Sequence, residues 1–383
     1  MPSDHKDILI VGAGPAGLST ALHLSLLAPH LVEHILVLEK ESHPRPKPCA
    51  GALVVDAEVL LEHLGLDVNE VPCARAESAH FHFEGRGMDL RLRKRPALRI
   101  IRREEFDLWL VQKARERGIE IREQVRVISV HPAAEGVTVE TSASIFHARV
   151  VVGADGSNGI VRGCILPDSP RHTARVLEVH VSPVVESPHQ TSGAYFDFFC
   201  VPAGIAGYTW DFPTQSGGQP MRCWGIFDNN LLADGQRPPL RSLLASEMER
   251  CGYHLAEGDL KGFPIRWFNP FGRFAVPGVL LAGDAAGTDA LFGEGISMAL
   301  GYGRLAARSI LSAFEREDFS FRDYPRHLLC SSLGQVISLR TLITYILYSF
   351  QWRWFQRFFW QGLSPLVRLA GGLLVINWAK RMK

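Results

Sequence analysis

The first forty residues constrain this chain more than any other stretch. Asp7-Ile8-Leu9-Ile10-Val11 is a short apolar, β-branched run suited to a strand covered on both faces. It feeds directly into Gly12-Ala13-Gly14-Pro15-Ala16-Gly17, after which Leu18 to Leu27 reads as a helix. A second apolar run, Ile35 to Leu38, ends at Glu39, 22 residues past Gly17. Each part has a mechanical job in a dinucleotide site. Gly12 permits a tight turn, Gly14 lets backbone approach a pyrophosphate, and Gly17 lets helix and strand pack closely. The helix N-terminus offers free N–H groups to phosphate, and an acid at the position of Glu39 can bind ribose hydroxyls. The fingerprint alone does not separate FAD from NAD.

Two later segments repeat the strand-then-glycine pattern. Val150-Val151-Val152-Gly153-Ala154-Asp155-Gly156-Ser157 ends a buried strand in a polar turn, with Arg162 shortly after. Val279 to Gly287 does the same around Gly283-Asp284, and Phe292-Gly293-Glu294-Gly295-Ile296 then opens a long helical pattern. Arg103 precedes Phe106-Asp107 at the start of another helix. This trio of turns resembles FAD-dependent oxidoreductases of the para-hydroxybenzoate-hydroxylase type. The resemblance implies an α/β fold: a Rossmann-type FAD-binding domain, an inserted antiparallel-sheet substrate domain and a C-terminal helical tail. It implies cofactor contacts from Gly12, Gly14, Ala16, Gly17, Glu39, Arg103, Val127, Asp155, Gly283, Asp284, Gly295 and Ile296. The helix after Gly295 would point its positive end at the flavin ring.

Two further stretches narrow the branch. Lys47-Pro48-Cys49-Ala50-Gly51 resembles the Lys-x-Cys-Gly-Gly segment of the geranylgeranyl reductase family, and Tyr208-Thr209-Trp210-Asp211-Phe212-Pro213 resembles that family's Tyr-x-Trp-x-Phe-Pro motif. Enzymes of the family use reduced FAD to saturate carbon–carbon double bonds of isoprenoid chains. The likeness adds Lys47, Ala50 and Gly51 as cofactor contacts and Phe212, Pro213 and Phe292 as substrate contacts. Cys49, Tyr208 and Trp210 become the catalytic candidates, the two aromatic faces stabilising positive charge that develops on the alkene. Ala50 stands where the family usually has glycine, and Thr214 where it often has lysine, so the substrate is less defined than the fold. A monooxygenase or halogenase on the same scaffold is the alternative. Halogenases of this scaffold typically carry Trp-x-Trp-x-Ile-Pro, which this chain lacks. No second glycine fingerprint follows a strand, so electrons are expected from a transient donor: NAD(P)H, a ferredoxin or a quinol.

Composition matters once it is divided. The 383 residues carry 41 basic and 40 acidic side chains, a balance that makes no case for nucleic acid as a partner. The seven cysteines include no CxxC pair, so no metal site is expected, and the chain reads as a reduced, cytoplasmic protein with no room for a signal peptide before Asp7. The last acid, however, is Asp323. Beyond it lie eight basic residues, no acid, and four of the eight tryptophans, so a formal +8 tail follows a −7 body. Leu339, Leu342, Ile343, Ile346, Leu347 and Phe350 recur at helical spacing, with Arg340, Thr341, Thr344 and Arg353 around the rest of the wheel. Neither uncharged run alone is long enough to span a bilayer, spanning by a joined run is disfavoured, and a helical cap on the body or a dimer surface is the alternative. The expectation is peripheral attachment through helices lying in the interface of an anionic membrane, where a prenyl or lipid substrate would be found. The domains read as 1–170 with 270–320 for FAD, 171–269 for substrate with 75–100 open between the two, and 321–383 for the tail. Removal of Leu333 to Lys383 is expected to leave a soluble body that keeps FAD.

Overall fold

In the computed structural model, residues 3–169, 172–231, 238–255, 260–370 and 376–382 are described. The apolar runs form the centre of a six-stranded sheet in the order Ala275–Val276, Val279–Leu281, Val150–Gly153, Ile8–Val11, Ile35–Leu38, Glu120–Arg122. All neighbours are parallel except the edge pair Ala275–Val276 with Val279–Leu281. Four of these strands, from Ile8, Ile35, Val150 and Val279, are buried at every residue, as a sheet covered on both faces requires. Helices Pro15–Leu27 and Ile296–Arg316 pack together closely. A Cβ on Gly303 would lie 2.4 Å from the Ser19 hydroxyl, which itself donates to the Leu300 carbonyl at 2.7 Å. A four-stranded sheet contributes Val130, Val137, Val139 and Phe146 to the same core.

The second large sheet has seven strands, in the order Lys261–Arg266, Thr173–Val181, Gln219–Asp228, Gly207–Ser216, Gly193–Asp197, Ser78–Phe83, Arg86–Arg91. It is antiparallel apart from one parallel pairing, Gly193–Asp197 with Ser78–Phe83. The two strands between Ser78 and Arg91 therefore join this sheet from far away in the chain. One face carries Phe196, Tyr208, Trp210, Phe212 and Phe227; Trp224 lies on the opposite face, beneath helix Leu240–Arg250. Phe268 belongs to the core of the parallel sheet.

The tail is built into the body rather than appended to it. Helix Ser332–Ser349 turns Arg340, Thr341, Thr344, Leu347 and Tyr348 inward and leaves Leu342, Tyr345 and Ile346 exposed. Leu333, Val336 and Ile337 are buried as well, so the inward face carries the helix's one charge and two threonines among apolar neighbours. Thr341 and Thr344 satisfy their hydroxyls on the carbonyls of Ile337 and Arg340, at 2.9 and 2.8 Å. Trp360 stacks on Phe198 at 3.8 Å, and Trp378 is fully buried. The N–H groups of Asn377 and Ala379 both donate to Asp56, at 2.9 and 2.8 Å. The expected clean removal of Leu333 to Lys383 therefore does not fit the structure, because it would strip buried groups from both cores. Among the described residues no single helix is long and apolar enough to cross a membrane.

Candidate active site

The three glycine turns meet at the carboxyl ends of the parallel strands. Gly12 has φ +106°, and a Cβ there would lie 2.4 Å from the Ala154 carbonyl; one on Gly17 would lie 2.0 Å from the Gly12 carbonyl. Gly283, at φ +61°, faces Ala16 so closely that a Cβ would come within 2.7 Å of the alanine methyl. These approaches lock the fingerprint helix to both later turns. Gly14 is different. A Cβ on it would meet nothing nearer than the Arg45 guanidinium at 3.7 Å. It caps helix Pro15–Leu27 without any side-chain hydrogen bond, so the helix presents free N–H groups at that point.

Glu39 is buried beside this turn and accepts from the backbone N–H groups of Ala13 and Glu41, at 3.0 and 3.1 Å. Arg45 reaches over the turn, with Nη2 3.6 Å from Glu39 and 3.4 Å from Asp107. Its Nε is buried with no hydrogen-bond partner. Neither Arg45 nor Asp107 was given a site role from the sequence, because neither lies in a glycine turn; the Arg45-Pro46-Lys47-Pro48 run was the available signal for the first. Arg103 grips Asp107 with two bonds of 2.8 Å and lies beside Cys49. It thus positions the Cys49 loop from behind. Asp155 sits against Gly12, but its Oδ2 turns back to the Val161 N–H at 3.0 Å, and burial raises its pKa to about 6. Its Oδ1 is buried without a partner. Val127 begins a strand of the four-stranded sheet and is buried in the shared core.

A free cation atom, uncapped helix N–H groups and an open glycine are what a pyrophosphate-bearing dinucleotide needs, so the residues fit FAD. Gly12, Gly14, Ala16 and Gly17 would carry the pyrophosphate and Glu39 the ribose. Lys47 and Asp284 attract one another across the opening. Asp284 Oδ1 would stand 3.6 Å from a Cβ on Gly295, where helix Ile296–Arg316 begins.

The loop before that helix is tied down carbonyl by carbonyl. Tyr302 donates to Gly287 at 2.8 Å, Asn229 to Ala290 at 3.0 Å, Tyr348 to Leu291 at 2.9 Å, Tyr208 to Phe292 at 2.6 Å and Thr288 to Glu294 at 2.7 Å. Arg340 of the tail completes the clamp, with Nη1 2.9 Å from Asp289 and 2.5 Å from Glu294. Arg340 is 2% exposed and Asp289 fully buried; burial pushes the aspartate's pKa up, against the pull of the guanidinium. The sequence placed Arg340 in a basic tail facing lipid, and the structure makes it part of the site.

Cys49 lies where the two large sheets meet. Its N–H donates to Glu178 at 2.9 Å, its sulfur accepts from the Gly51 N–H at 3.4 Å, and burial raises its pKa, so it stays a thiol. Gly51 itself has φ +76° and lies against the Ile101 carbonyl, and Ala50 packs on the aromatic cluster. Tyr208, Trp210 and Phe212 alternate along strand Gly207–Ser216, so all three face that cluster. Pro213 follows Phe212, buried, and the Phe292 ring meets Phe81, Phe196 and Tyr208 edge-on. Trp210 lies across Gly225, where a Cβ would strike the indole at 2.0 Å, and its Nε1 donates to the Cys223 sulfur at 3.5 Å. A cavity of about 440 Å³, bounded by Arg162, Arg266 and Trp267, does not border these three aromatics.

The sequence reading missed Glu178. It is 2% exposed, and burial raises its pKa to about 7 against the pull of Lys261, Arg102 and Arg103. A glutamate within Leu177-Glu178-Val179 carries no motif; only pairing with the strands beside it gives it a place.

The fold and the site define a flavoprotein of the Rossmann type. Residues 5–229 match the family described as FAD binding domain, and the chain belongs to it. It is an FAD-dependent oxidoreductase. The chain is 28% identical over 367 residues to Protein FixC of Escherichia coli K12, covering 86% of this chain and 82% of that one. It is 25% identical to digeranylgeranylglycerophospholipid reductase 3 of Methanosphaera stadtmanae, covering 88% and 86%. A geranylgeranyl bacteriochlorophyll reductase-like protein of Thermoplasma acidophilum superposes with TM-score 0.73 at 19% identity, over 91% of this chain and 88% of that one. Halogenases share the fold, the flavin-dependent brominase Bmp2 at TM-score 0.72 and 19% identity, over 98% and 96%. The resemblance read from Lys47–Gly51 and Tyr208–Pro213 thus has counterparts in both comparisons.

Proposed function

We propose that this protein uses reduced FAD to saturate carbon–carbon double bonds of an isoprenoid or prenyl-lipid substrate. The observation that carries the reading is the meeting of the Tyr208–Trp210–Phe212 face with the Lys47–Gly51 loop across Cys49 and Glu178. Reduced FAD supplies the hydride. The chain's own residues supply an apolar surface, aromatic faces toward developing positive charge, and a thiol held in its neutral form. Electrons would come from a nicotinamide, a ferredoxin or a quinol docking transiently.

The halogenase neighbour keeps an oxygen-dependent monooxygenase or halogenase as the second reading. Photoreduced enzyme mixed with prenyl diphosphates, prenylated lipids and quinones without oxygen separates them. The expected result is flavin reoxidation with a product two mass units heavier per bond. Reoxidation only on admitting oxygen would favour the second reading.

The proposal includes docking on a membrane surface at the cytoplasmic side. Leu342, Ile346, Phe350, Trp352, Trp354 and Phe358 are exposed on the tail, two of them tryptophans suited to a headgroup boundary. The charge is weaker than the formal +8 suggests. Arg340 is spent inside, and Arg353 and Arg357 both pair with Glu84. Apolar insertion would therefore outweigh attraction to anionic lipid. Replacing Trp352 and Trp354 together with serine should lower co-sedimentation with anionic vesicles about tenfold or more, from burial of about 1.5–3 kcal/mol per large side chain. Both residues are exposed, so the fold should be unaffected. Intact protein that fails to sediment with vesicles even at low salt would remove the membrane from the proposal.

A further inference from the structure

We infer that Glu178 is the proton donor of this reaction, delivering its proton to the alkene carbon that does not receive the hydride. The inference rests on the reductase reading and names the acid that reading requires.

Register across three strands places the group. Glu178 pairs with Gly225, and Gly225 pairs with Trp210, so the carboxyl, the missing side chain and the indole share one row on one face of the sheet. The indole fills the space that Gly225 leaves and so lies toward Glu178. One carboxyl oxygen is fixed by the Cys49 N–H at 2.9 Å, and Oε2 is buried with no hydrogen-bond partner. A buried carboxylate oxygen without a partner is costly, whereas a carboxylic acid there is neutral and has a proton to give.

The Cys49 thiol is the weaker acid, its pKa raised by burial, and the other protic groups nearby are committed or unsuited. The Tyr208 hydroxyl donates to the Phe292 carbonyl, and burial lifts its pKa well above the ordinary value. Asp289 is held by Arg340. The Cys223 thiol takes the Trp210 N–H, and burial raises its pKa too. His180, two residues along the same strand face, lies 3.1 Å from Arg102, and burial with that charge lowers its pKa to about 4, so it has no proton to donate near neutrality. The charged groups acting on Glu178 are Lys261, Arg102 and Arg103. Burial raises its pKa to about 7 against their pull, where a general acid works best at neutral pH.

The step balances. The double bond gains a hydride from reduced FAD at one carbon and the Glu178 proton at the other. Oxidised FAD and the Glu178 carboxylate remain. Solvent returns the proton, and the nicotinamide, ferredoxin or quinol returns the two electrons.

The test uses full-length holoenzyme, a prenyl diphosphate and dithionite without oxygen, with Glu178→Gln and Glu178→Asp variants. Glutamine can still accept from the Cys49 N–H. Wild-type kcat should fall as pH rises through about 7, because the protonated acid is the active form. In Glu178→Gln, kcat should drop about a hundredfold or more, the pH limb should vanish, and flavin content and visible spectrum should stay unchanged. Glu178→Asp should recover part of the rate together with the limb. Infrared difference spectra should show a protonated carboxyl titrating near pH 7 in the wild type and missing in Glu178→Gln, a readout independent of turnover. A wild-type pH limb retained by Glu178→Gln, or no carboxyl signal lost, overturns the assignment. A wild type that reduces no prenyl alkene while showing that signal overturns the reaction but leaves the protonated glutamate standing.

Discussion

Replacing Arg340 with methionine is expected to destabilise the protein by about 3–5 kcal/mol, the usual cost of removing one partner from a buried ion pair. Methionine approximates the volume, so the loss is electrostatic. Asp289 and Glu294 would remain in the same pocket, the first fully buried, the second with little exposure and bonded to Ser297. Two consequences distinguish this from simple loss of packing. First, the deficit should depend on pH. In the variant burial keeps the Asp289 pKa above its unfolded value, so the penalty is present above the unfolded pKa, near 4. It should shrink as pH falls and the folded protein takes up protons. Second, adding Asp289→Asn and Glu294→Gln to the variant should restore most of the stability. Chemical denaturation at pH 5 and pH 8 measures both. A deficit equal at the two pH values would mean that the clamp works through shape alone. Because the loop from Gly287 to Gly295 precedes the helix that would face the flavin, the single variant should also lose FAD more readily on dilution.

The second large effect is selective. Gly14→Ala should leave the apo-protein's unfolding midpoint nearly unchanged while weakening FAD binding about tenfold to a hundredfold, roughly 1.4–2.8 kcal/mol. The backbone at Gly14 is extended, at φ −89° and ψ −177°, and the new methyl meets nothing within 3.7 Å. Any penalty then comes from the ligand whose pyrophosphate must approach that backbone. Gly12 and Gly17 cannot report on binding in this way, because a Cβ there collides with the Ala154 and Gly12 carbonyls and the fold itself suffers. Flavin fluorescence titration of refolded apo-protein, beside thermal unfolding, reads the two effects separately. Equal affinity for FAD in Gly14→Ala would place the pyrophosphate elsewhere.

The contrast between these two residues shows how far the chain could be read directly. Gly14 was legible because its function is local: six consecutive residues between an apolar strand and a helix have one geometry. The same holds for Glu39, for the turns at Asp155 and Asp284, and for Tyr208, Trp210 and Phe212, whose alternation needs only a strand. Arg340 was not legible. Its partners lie 51 and 46 residues earlier, and a basic residue on an amphipathic wheel points to solvent unless a buried acid waits for it. Its polar groups can face inward because Asp289 and Glu294 take the one charge and the threonines bond back to their own turn. Leu342, Tyr345 and Ile346 are left outward, where a membrane is the proposed partner.

The sequence by itself determined the FAD-binding fold, the fingerprint that receives the cofactor, and the aromatic strand of the second sheet. These follow from backbone periodicity and from where glycine is obligatory, and both act over a few residues. Only the tertiary structure decided that Glu178 stands beside Trp210 and Cys49, and that the tail closes the loop before helix Ile296–Arg316. Strand register sets the first, and burial of opposite charges sets the second. Both join residues far apart in the chain, through contacts that exist only once the sheets have formed and met.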